Sequence, residues 1–321
     1  MPYKLPDLPT PQATQCELAD YLEMTCLLDV SKKSSITSAS RKLTPPLDEI
    51  DPGGIESEDD EVNSDMEDTL NVVQERNAWC NDKYPFEIVR GSSLKIKRDV
   101  LNDVDYIYSF LLLATRLNMT DHKVQGGIDG TMVFEKLCEV IAQQYFGIRS
   151  KALLLGTSAG ASFDEKIKKL IEFINQGEGQ RKRVDARGKT KDGGIDIVVV
   201  NAFSDQRIGK LVGFGQCKTG TTWEKEISLL QPLTFVNDHF LDSNNLDPIA
   251  MFFVAEERSV EFTTSAGHTD VFFTRCRIMD FIPETIPTLV IKDIRTWVNA
   301  SVKMLQSIEV HPSRKKKPNK N

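Results

Sequence analysis

The sequence predicts an α/β protein in which helices flank a mixed central sheet. Two apolar segments, residues 195–203 and 210–218, are separated by the polar turn SDQRIG, which is typical of a β-hairpin. Helical patterns precede and follow this hairpin along the chain. Both strands carry apolar residues on each face, which indicates a sheet that is covered on both sides.

The chain divides into five predicted segments with different composition. They are a short helical N-terminal segment (1–30), an acidic flexible linker rich in Ser, Pro and Gly (31–68), a helical region (69–118), the α/β domain (119–310) and a basic tail (311–321). The linker has too little apolar surface to order itself. Residues 1–75 contain 5 basic and 17 acidic residues, a net charge of −12, while the rest contains 35 and 30, a net charge of +5. The mildly basic remainder of the chain is compatible with a polyanionic partner.

The secondary structure of the α/β domain is predicted from apolar spacing and from capping residues. A helix over residues 131–146 follows Asp129, which can cap its start, and Ser162 with Glu165 forms a capping-box pattern before the next helix. The later elements are a helix over 224–241 that Pro232 interrupts, strands PIAMFFVAE (248–256) and RCRIMDFI (275–282), and a final helix over 292–306. Helices are also predicted over 14–29 and 98–117.

The composition argues against several classes of protein. The six cysteines are scattered without a CxxC pair and the four histidines are dispersed, so we expect reduced, buried thiols and no structural zinc site. The chain has no run of eighteen apolar residues, and its first residues lack the basic start and apolar stretch of a signal peptide. We therefore expect no membrane span and a cytoplasmic location.

Three polar side chains interrupt the apolar hairpin. Gln216 and Lys218 share one face of their strand because strand periodicity is two. Asp196 comes opposite them if the turn is centred on Gln206 or Arg207, which is where the turn signal lies. Charged groups in a sheet covered on both faces are costly unless they pair or bind a metal. The three residues are therefore predicted to converge on one point.

The hairpin and the helix before it resemble the PD-(D/E)xK nuclease superfamily, and within it the Mrr-like restriction endonucleases. The matching segments are GTMVFEKLCEVIAQQYFG (130–147) for the first helix, DGGIDIVVV (192–200) for the strand with the metal-binding aspartate, and GQCK (215–218) for the strand with the lysine. The resemblance covers residues 130–300 and leaves residues 1–118 without a counterpart. It implies a restriction-endonuclease-like fold and DNA cleavage that depends on Mg²⁺ or Mn²⁺.

The resemblance implies a role for each matching residue. Asp196 would be the central metal ligand and Lys218 the catalytic lysine. Gln216 stands where glutamate is commoner and would offer its carbonyl oxygen to the metal or to a bound water. Glu135 would add a carboxylate from the helix and restore the lost charge, and the backbone carbonyl of Cys217 would be a further ligand. The thiol of Cys217 should point away from the site, into the core.

The chemistry of phosphodiester hydrolysis suits these residue types. Mg²⁺ takes oxygen ligands, lowers the pKa of a bound water and polarises the phosphoryl oxygen. Lys218, beside the metal, would orient the attacking water and neutralise developing charge.

The expected partner is DNA. Because cutting both strands of a duplex needs two active sites, we expect a homodimer or a larger assembly, and the resemblance implies restriction or anti-phage defence with a companion defence protein as a further partner. Basic residues before the active strand are candidates for contacts to the DNA backbone: Arg181, Lys182, Arg183, Lys189 and Lys191.

Two other functions fit the same residues. The first is a structure-specific nuclease such as a Holliday-junction resolvase, whose fold and site are similar. The second is a nuclease fold without activity that binds DNA or another protein, which the glutamine at position 216 leaves open.

Overall fold

A five-stranded mixed sheet flanked by helices forms the centre of the fold, as the sequence predicts. The computed structural model describes residues 3–10, 13–43, 68–155, 162–176, 178–180, 194–242, 246–258, 267 and 269–309. The helices are α1 (Gln15–Leu28), α2 (Ile36–Leu43), α3 (68–79), α4 (Asp103–Arg116), α5 (Gly130–Phe146), α6 (Phe163–Ile174), α7 (Pro232–His239), α8 (Arg275–Asp280) and α9 (Thr288–Glu309). The strands are β1 (Lys33–Ser35), β2 (Phe86–Val89), β3 (Ser93–Ile96), β4 (Val124–Gln125), β5 (Ile128–Asp129), β6 (Ser150–Leu154), β7 (Glu178–Gln180), β8 (Ile197–Asn201), β9 (Leu211–Lys218), β10 (Phe240–Asp242), β11 (Ile249–Val254) and β12 (Val271–Phe273).

The strand order of the central sheet is β12-β11-β9-β8-β6. The strands β6, β8 and β9 are antiparallel neighbours, whereas β9, β11 and β12 run parallel. The carboxyl ends of β9, β11 and β12 therefore meet at the edge where β8 begins. Polar groups at these strand ends can lie close together.

The two faces of the sheet belong to two separate hydrophobic clusters. Ile197 and Val199 of β8 pack in the larger cluster, which includes residues of α1, α4, α5 and α9. Val198 and Val200 pack in the smaller cluster, with α6 and α7. The sheet is buried on both faces, so the apolar strands were interpreted correctly.

The predicted caps explain where two helices begin. The Thr131 backbone N–H donates to Asp129 Oδ1 (2.9 Å) at the start of α5. At the start of α6, Ser162 and Glu165 form the predicted reciprocal capping box. Gly147 ends α5 with a φ of +98°, a conformation that favours glycine.

The prediction of a strand over residues 275–282 was wrong. Residues 275–280 form the helix α8, and the strand β12 lies just before it. The carboxylate of Glu257 accepts a hydrogen bond from the backbone N–H of Cys276 (2.7 Å) and so satisfies a free donor in the first turn. Arg275, at the start of this helix, is fully buried and forms an ion pair with Asp20. These tertiary contacts outweigh the alternating pattern of the short segment.

Three further expectations differ from the structure. The predicted helical region, 69–118, contains the antiparallel pair β2 and β3 between α3 and α4. Residues 33–43, predicted as the start of a flexible linker, form β1, which pairs with β3, and α2. The predicted helix 224–241 is two 3-10 turns, 223–225 and 227–229, followed by α7, which starts at Pro232 because proline suits the first helical position. The rest of the linker, 44–67, and the basic tail, 311–321, lie outside the described residues.

A network of buried charges joins the N-terminal helices to the sheet. Asp20 of α1 contacts three arginine side chains: Arg76 Nη1 at 2.7 Å, Arg116 Nε at 2.7 Å and Arg275 Nη1 at 2.8 Å. All four side chains are fully buried. Burial alone would raise the pKa of Asp20, but the three guanidinium groups lower it below its usual range.

Glu23 is the second acid of this network. Its carboxylate accepts hydrogen bonds from Arg76 (2.7 Å), from the hydroxyl of Tyr84 (2.7 Å) and from that of Tyr108 (2.9 Å). The larger hydrophobic cluster contains residues from Tyr3 to Leu305. It therefore includes residues on both sides of position 118, after which the predicted α/β domain begins.

Within the described part of the chain, none of the helices has the length and apolar character needed to cross a lipid bilayer.

We predict that Asp20→Asn lowers the free energy of unfolding by about 3–5 kcal/mol, because it leaves three buried guanidinium groups without their shared carboxylate. Urea denaturation at pH 7 measures this difference, with Asp7→Asn, an exposed aspartate, as the control. The pKa of Asp20 is depressed in the folded state, so its contribution is present above about pH 4 and is lost as the pH falls. A loss no larger than that of the control would contradict the structural role of the network.

Candidate active site

The antiparallel register of β8 and β9 places Asp196 beside Gln216. Ile197 pairs with Gly215, and one further step of the same register brings Asp196 opposite Gln216. The turn is centred on Gln206, which has a φ of +56°. The predicted register of the hairpin is therefore confirmed.

The backbone of β9 holds the carboxylate of Asp196 in a fixed place. The Asp196 N–H donates to the carbonyl of Gly215 (2.8 Å), and its Oδ2 accepts a hydrogen bond from the backbone N–H of Cys217 (2.8 Å). Cys217 lies between Gln216 and Lys218 in the strand. The carboxylate thus lies against the backbone of the Gln-x-Lys segment.

Gln216 presents a buried oxygen at this point. Its side chain is 4% exposed, and its Oε1 has no hydrogen-bond donor among the residues that the structure describes. Its Nε2 packs on Gly194, where a Cβ would lie only 2.7 Å from that nitrogen. A buried acceptor without a donor is costly, so the oxygen is suited to a ligand that supplies positive charge.

The thiols of Cys217 on β9 and Cys138 on α5 lie in contact with each other. Burial raises the pKa of the Cys217 thiol well above its usual value, and contact with the Cys138 thiol and the charges of Asp196 and Glu135 raise it further. The same two carboxylates raise the pKa of Cys138, after burial. Glu135 precedes Cys138 by three residues on α5, and its convergence with Asp196 on one ion stays a prediction.

The thiol of Cys217 packs against the larger hydrophobic cluster, on the side of α5. This confirms the prediction that it points into the core. Its raised pKa keeps it protonated at neutral pH, so the thiol is a poor nucleophile.

Lys218 forms an ion pair that sequence reasoning missed. Its Nζ lies 2.6 Å from Oε2 of Glu226, and the two side chains are 29% and 41% exposed. Glu226 follows β9 in the segment that joins the two 3-10 turns. The sequence did not indicate this pair, because Glu226 falls in a predicted helix, where an acidic residue is normally interpreted as a solvated side chain.

The five basic residues proposed for DNA contacts lie outside the described residues: Arg181, Lys182, Arg183, Lys189 and Lys191. The role of the Cys217 carbonyl as a ligand stays a prediction.

The residues present fit a small divalent cation with oxygen ligands. The described residues contain no group of three or more His, Cys, Asp and Glu side chains placed to hold a metal ion. The candidate set instead combines the carboxylate of Asp196 with the buried amide oxygen of Gln216, and the part of Glu135 as a further ligand stays a prediction. Carboxylate and amide oxygens are the ligands that Mg²⁺ accepts, and it retains several waters.

Comparisons with models of protein families, with curated proteins and with solved structures found no match to this chain.

We predict that Gly194→Ala costs more stability than Gly209→Ala, because Gly209, with a φ of +84°, has no atom within 4 Å of an added Cβ. Both changes force alanine into the left-handed region at about 1–2 kcal/mol. Only Gly194→Ala also displaces the Gln216 amide, which adds about 1 kcal/mol. Urea denaturation of both variants measures the difference.

A double-mutant cycle isolates the contact between the two residues. In a Gln216→Ala background the extra cost of Gly194→Ala should disappear, while the cost of Gly209→Ala stays unchanged. Equal costs for the two glycines in the wild-type background would show that Gln216 does not pack where the structure places it.

Proposed function

We propose that this protein is a Mg²⁺-dependent endonuclease that hydrolyses phosphodiester bonds in DNA. The observation that supports this proposal is the position of Asp196, whose carboxylate lies 2.8 Å from the backbone nitrogen of Cys217, between Gln216 and Lys218. An acid, an amide oxygen and an ammonium group at one end of a buried hairpin are the groups that metal-assisted phosphoryl chemistry uses.

The charge of the candidate site supports a requirement for a cation. Asp196 and Glu226 bring carboxylates to the end of β9, and Lys218 brings an ammonium group that is paired with Glu226. Carboxylates repel a DNA phosphate, and a divalent cation bound between them would offset that repulsion.

Each residue then has a defined part in the proposed reaction. Asp196, Glu135 and Gln216 would hold the ion, which when bound supplies an acidified water and polarises the phosphoryl oxygen. Lys218 would donate hydrogen bonds to a phosphate oxygen and orient the attacking water. The rigid, doubly buried hairpin keeps these groups in place without reorganisation.

The wider setting follows from the sequence resemblance. We propose a cytoplasmic role in restriction or anti-phage defence, with two copies of the chain acting on the two strands of a duplex. In that arrangement residues 1–118 would contact a companion protein or regulate the nuclease.

We predict that the protein cuts supercoiled and linear DNA with Mg²⁺ and not with EDTA, and that Asp196→Asn and Lys218→Met each reduce the cutting rate at least about 100-fold. These changes remove a proposed ligand and the proposed transition-state cation, whose loss costs about that much in comparable sites. Gel analysis of plasmid substrates measures the rates. Asp205→Asn, an exposed aspartate in the turn at the far end of the hairpin, is the matched control and should cut normally.

The other outcomes identify the alternative functions. Strong preference for a four-way junction over plain duplex would point to a resolvase. DNA binding without cutting, unaffected by Asp196→Asn and Lys218→Met, would point to an inactive nuclease fold and reject the enzyme proposal.

A further inference from the structure

The ion pair between Lys218 and Glu226 joins the candidate site to the segment that follows β9. Oε2 of Glu226 lies 2.6 Å from the lysine Nζ. Both side chains are partly exposed, so a ligand that enters the site can reach the ammonium group while Glu226 still contacts it. The pair therefore lies on the accessible rim of the site.

The backbone that carries Glu226 is fastened independently of Lys218. Trp223, 1% exposed, packs in the smaller hydrophobic cluster and donates its indole N–H to Glu256 Oε2 (2.8 Å). Arg258 Nε donates to the same carboxylate (3.0 Å), and its guanidinium lies 5.1 Å from the centre of the Trp223 ring. Ile227, on the other side of Glu226, is also 1% exposed.

Glu256 links these contacts to the central sheet. It follows β11, the parallel neighbour of β9, and Val254 of β11 pairs with Lys218. The position of the Glu226 carboxylate relative to Lys218 is thus set by two strand ends and one buried tryptophan.

An exposed ion pair of this kind contributes little to folding, because solvent screens it and two long side chains lose freedom. Trp223 and Ile227 anchor the segment by their burial, without contribution from the pair. A fixed hydrogen-bond acceptor beside a flexible lysine instead orients the ammonium group, which an active site requires.

We propose that Glu226 is a positioning residue, which holds the Lys218 ammonium toward the phosphate that is cut. This inference rests on the proposed nuclease function. The lysine has four rotatable side-chain bonds and three N–H donors. With one donor bound to Glu226, two donors remain, and in the proposed reaction one would contact a phosphate oxygen and one the attacking water.

The test compares Glu226→Ala with Glu224→Ala. Glu224 lies in the same segment and pairs with Arg258 rather than with Lys218, and its side chain is 48% exposed, against 41% for Glu226. Steady-state cleavage of a fluorescent duplex with Mg²⁺ should show kcat reduced about 10- to 100-fold in Glu226→Ala, with KM changed less than about 3-fold. Glu224→Ala should match the wild type, and Glu226→Asp should recover part of the lost kcat.

A second measurement needs neither metal nor DNA. Acetylation of Lys218 by a mild acylating reagent, followed by mass spectrometry, should be faster in Glu226→Ala because the amine is no longer held by its partner. The rate at Lys218 should be unchanged in Glu224→Ala. Equal rates in both variants would show that the ion pair does not hold the lysine in solution, and would overturn the inference.

The kinetic outcomes separate failure of the inference from failure of the proposed function. A wild-type protein that does not cut DNA rejects both. A wild type that cuts, with Glu226→Ala equally active, rejects the positioning role alone. A Glu226→Ala variant that cuts faster and binds DNA more tightly in EDTA would also reject it, because Glu226 would then restrain Lys218 from the substrate.

Discussion

The pairing of Ile197 with Gly215 is the constraint on which the candidate site depends. Side chains alternate along a strand, so a slip of one residue would move every side chain of β8 to the opposite face. Both faces are packed, with Val198 in one hydrophobic cluster and Val199 in the other, so a slip would disrupt the packing of both clusters. The polar groups at the strand ends take their places because the apolar residues between them are fixed.

The buried charges around Asp20 extend this constraint to the N-terminal region. Arg275 bonds to Asp20 on α1 and, through Nε, to the carbonyl of Ala255 beyond the end of β11 (3.0 Å). The same end of the sheet carries Lys218, opposite Val254. Helix α1 is therefore linked to the edge of the sheet at which the candidate site lies. Removal of one partner from such a network would leave buried charges unpaired, so the network opposes displacement of α1 from this edge.

Local signals in the sequence were sufficient for most helices and for the hairpin, because caps and apolar alternation act over a few residues. They failed where distant residues decide the structure. Glu257 and Asp20 stabilise α8 in a segment that alternates like a strand. The strand β6 was not predicted because its exposure pattern is mixed. At the site, the register predicted the meeting of Asp196 and Gln216, whereas Glu226 depends on how Trp223 packs, which no local pattern encodes.

Glutamine at position 216 is consistent with the ion pair that lies beside it. A glutamate there would place a further carboxylate at a position that is only 4% exposed, next to the carboxylate of Asp196. The charges of Asp196 and Glu135 already raise the pKa of the Cys217 thiol. Lys218 cannot offset that added charge, because its ammonium group is already paired with Glu226. Like charges at short range raise each other's pKa, so one acid would take up a proton and could no longer act as the proposed metal ligand. A neutral amide keeps the oxygen available without that penalty, and the carboxylate beside the lysine comes from Glu226 in the segment that follows the strand.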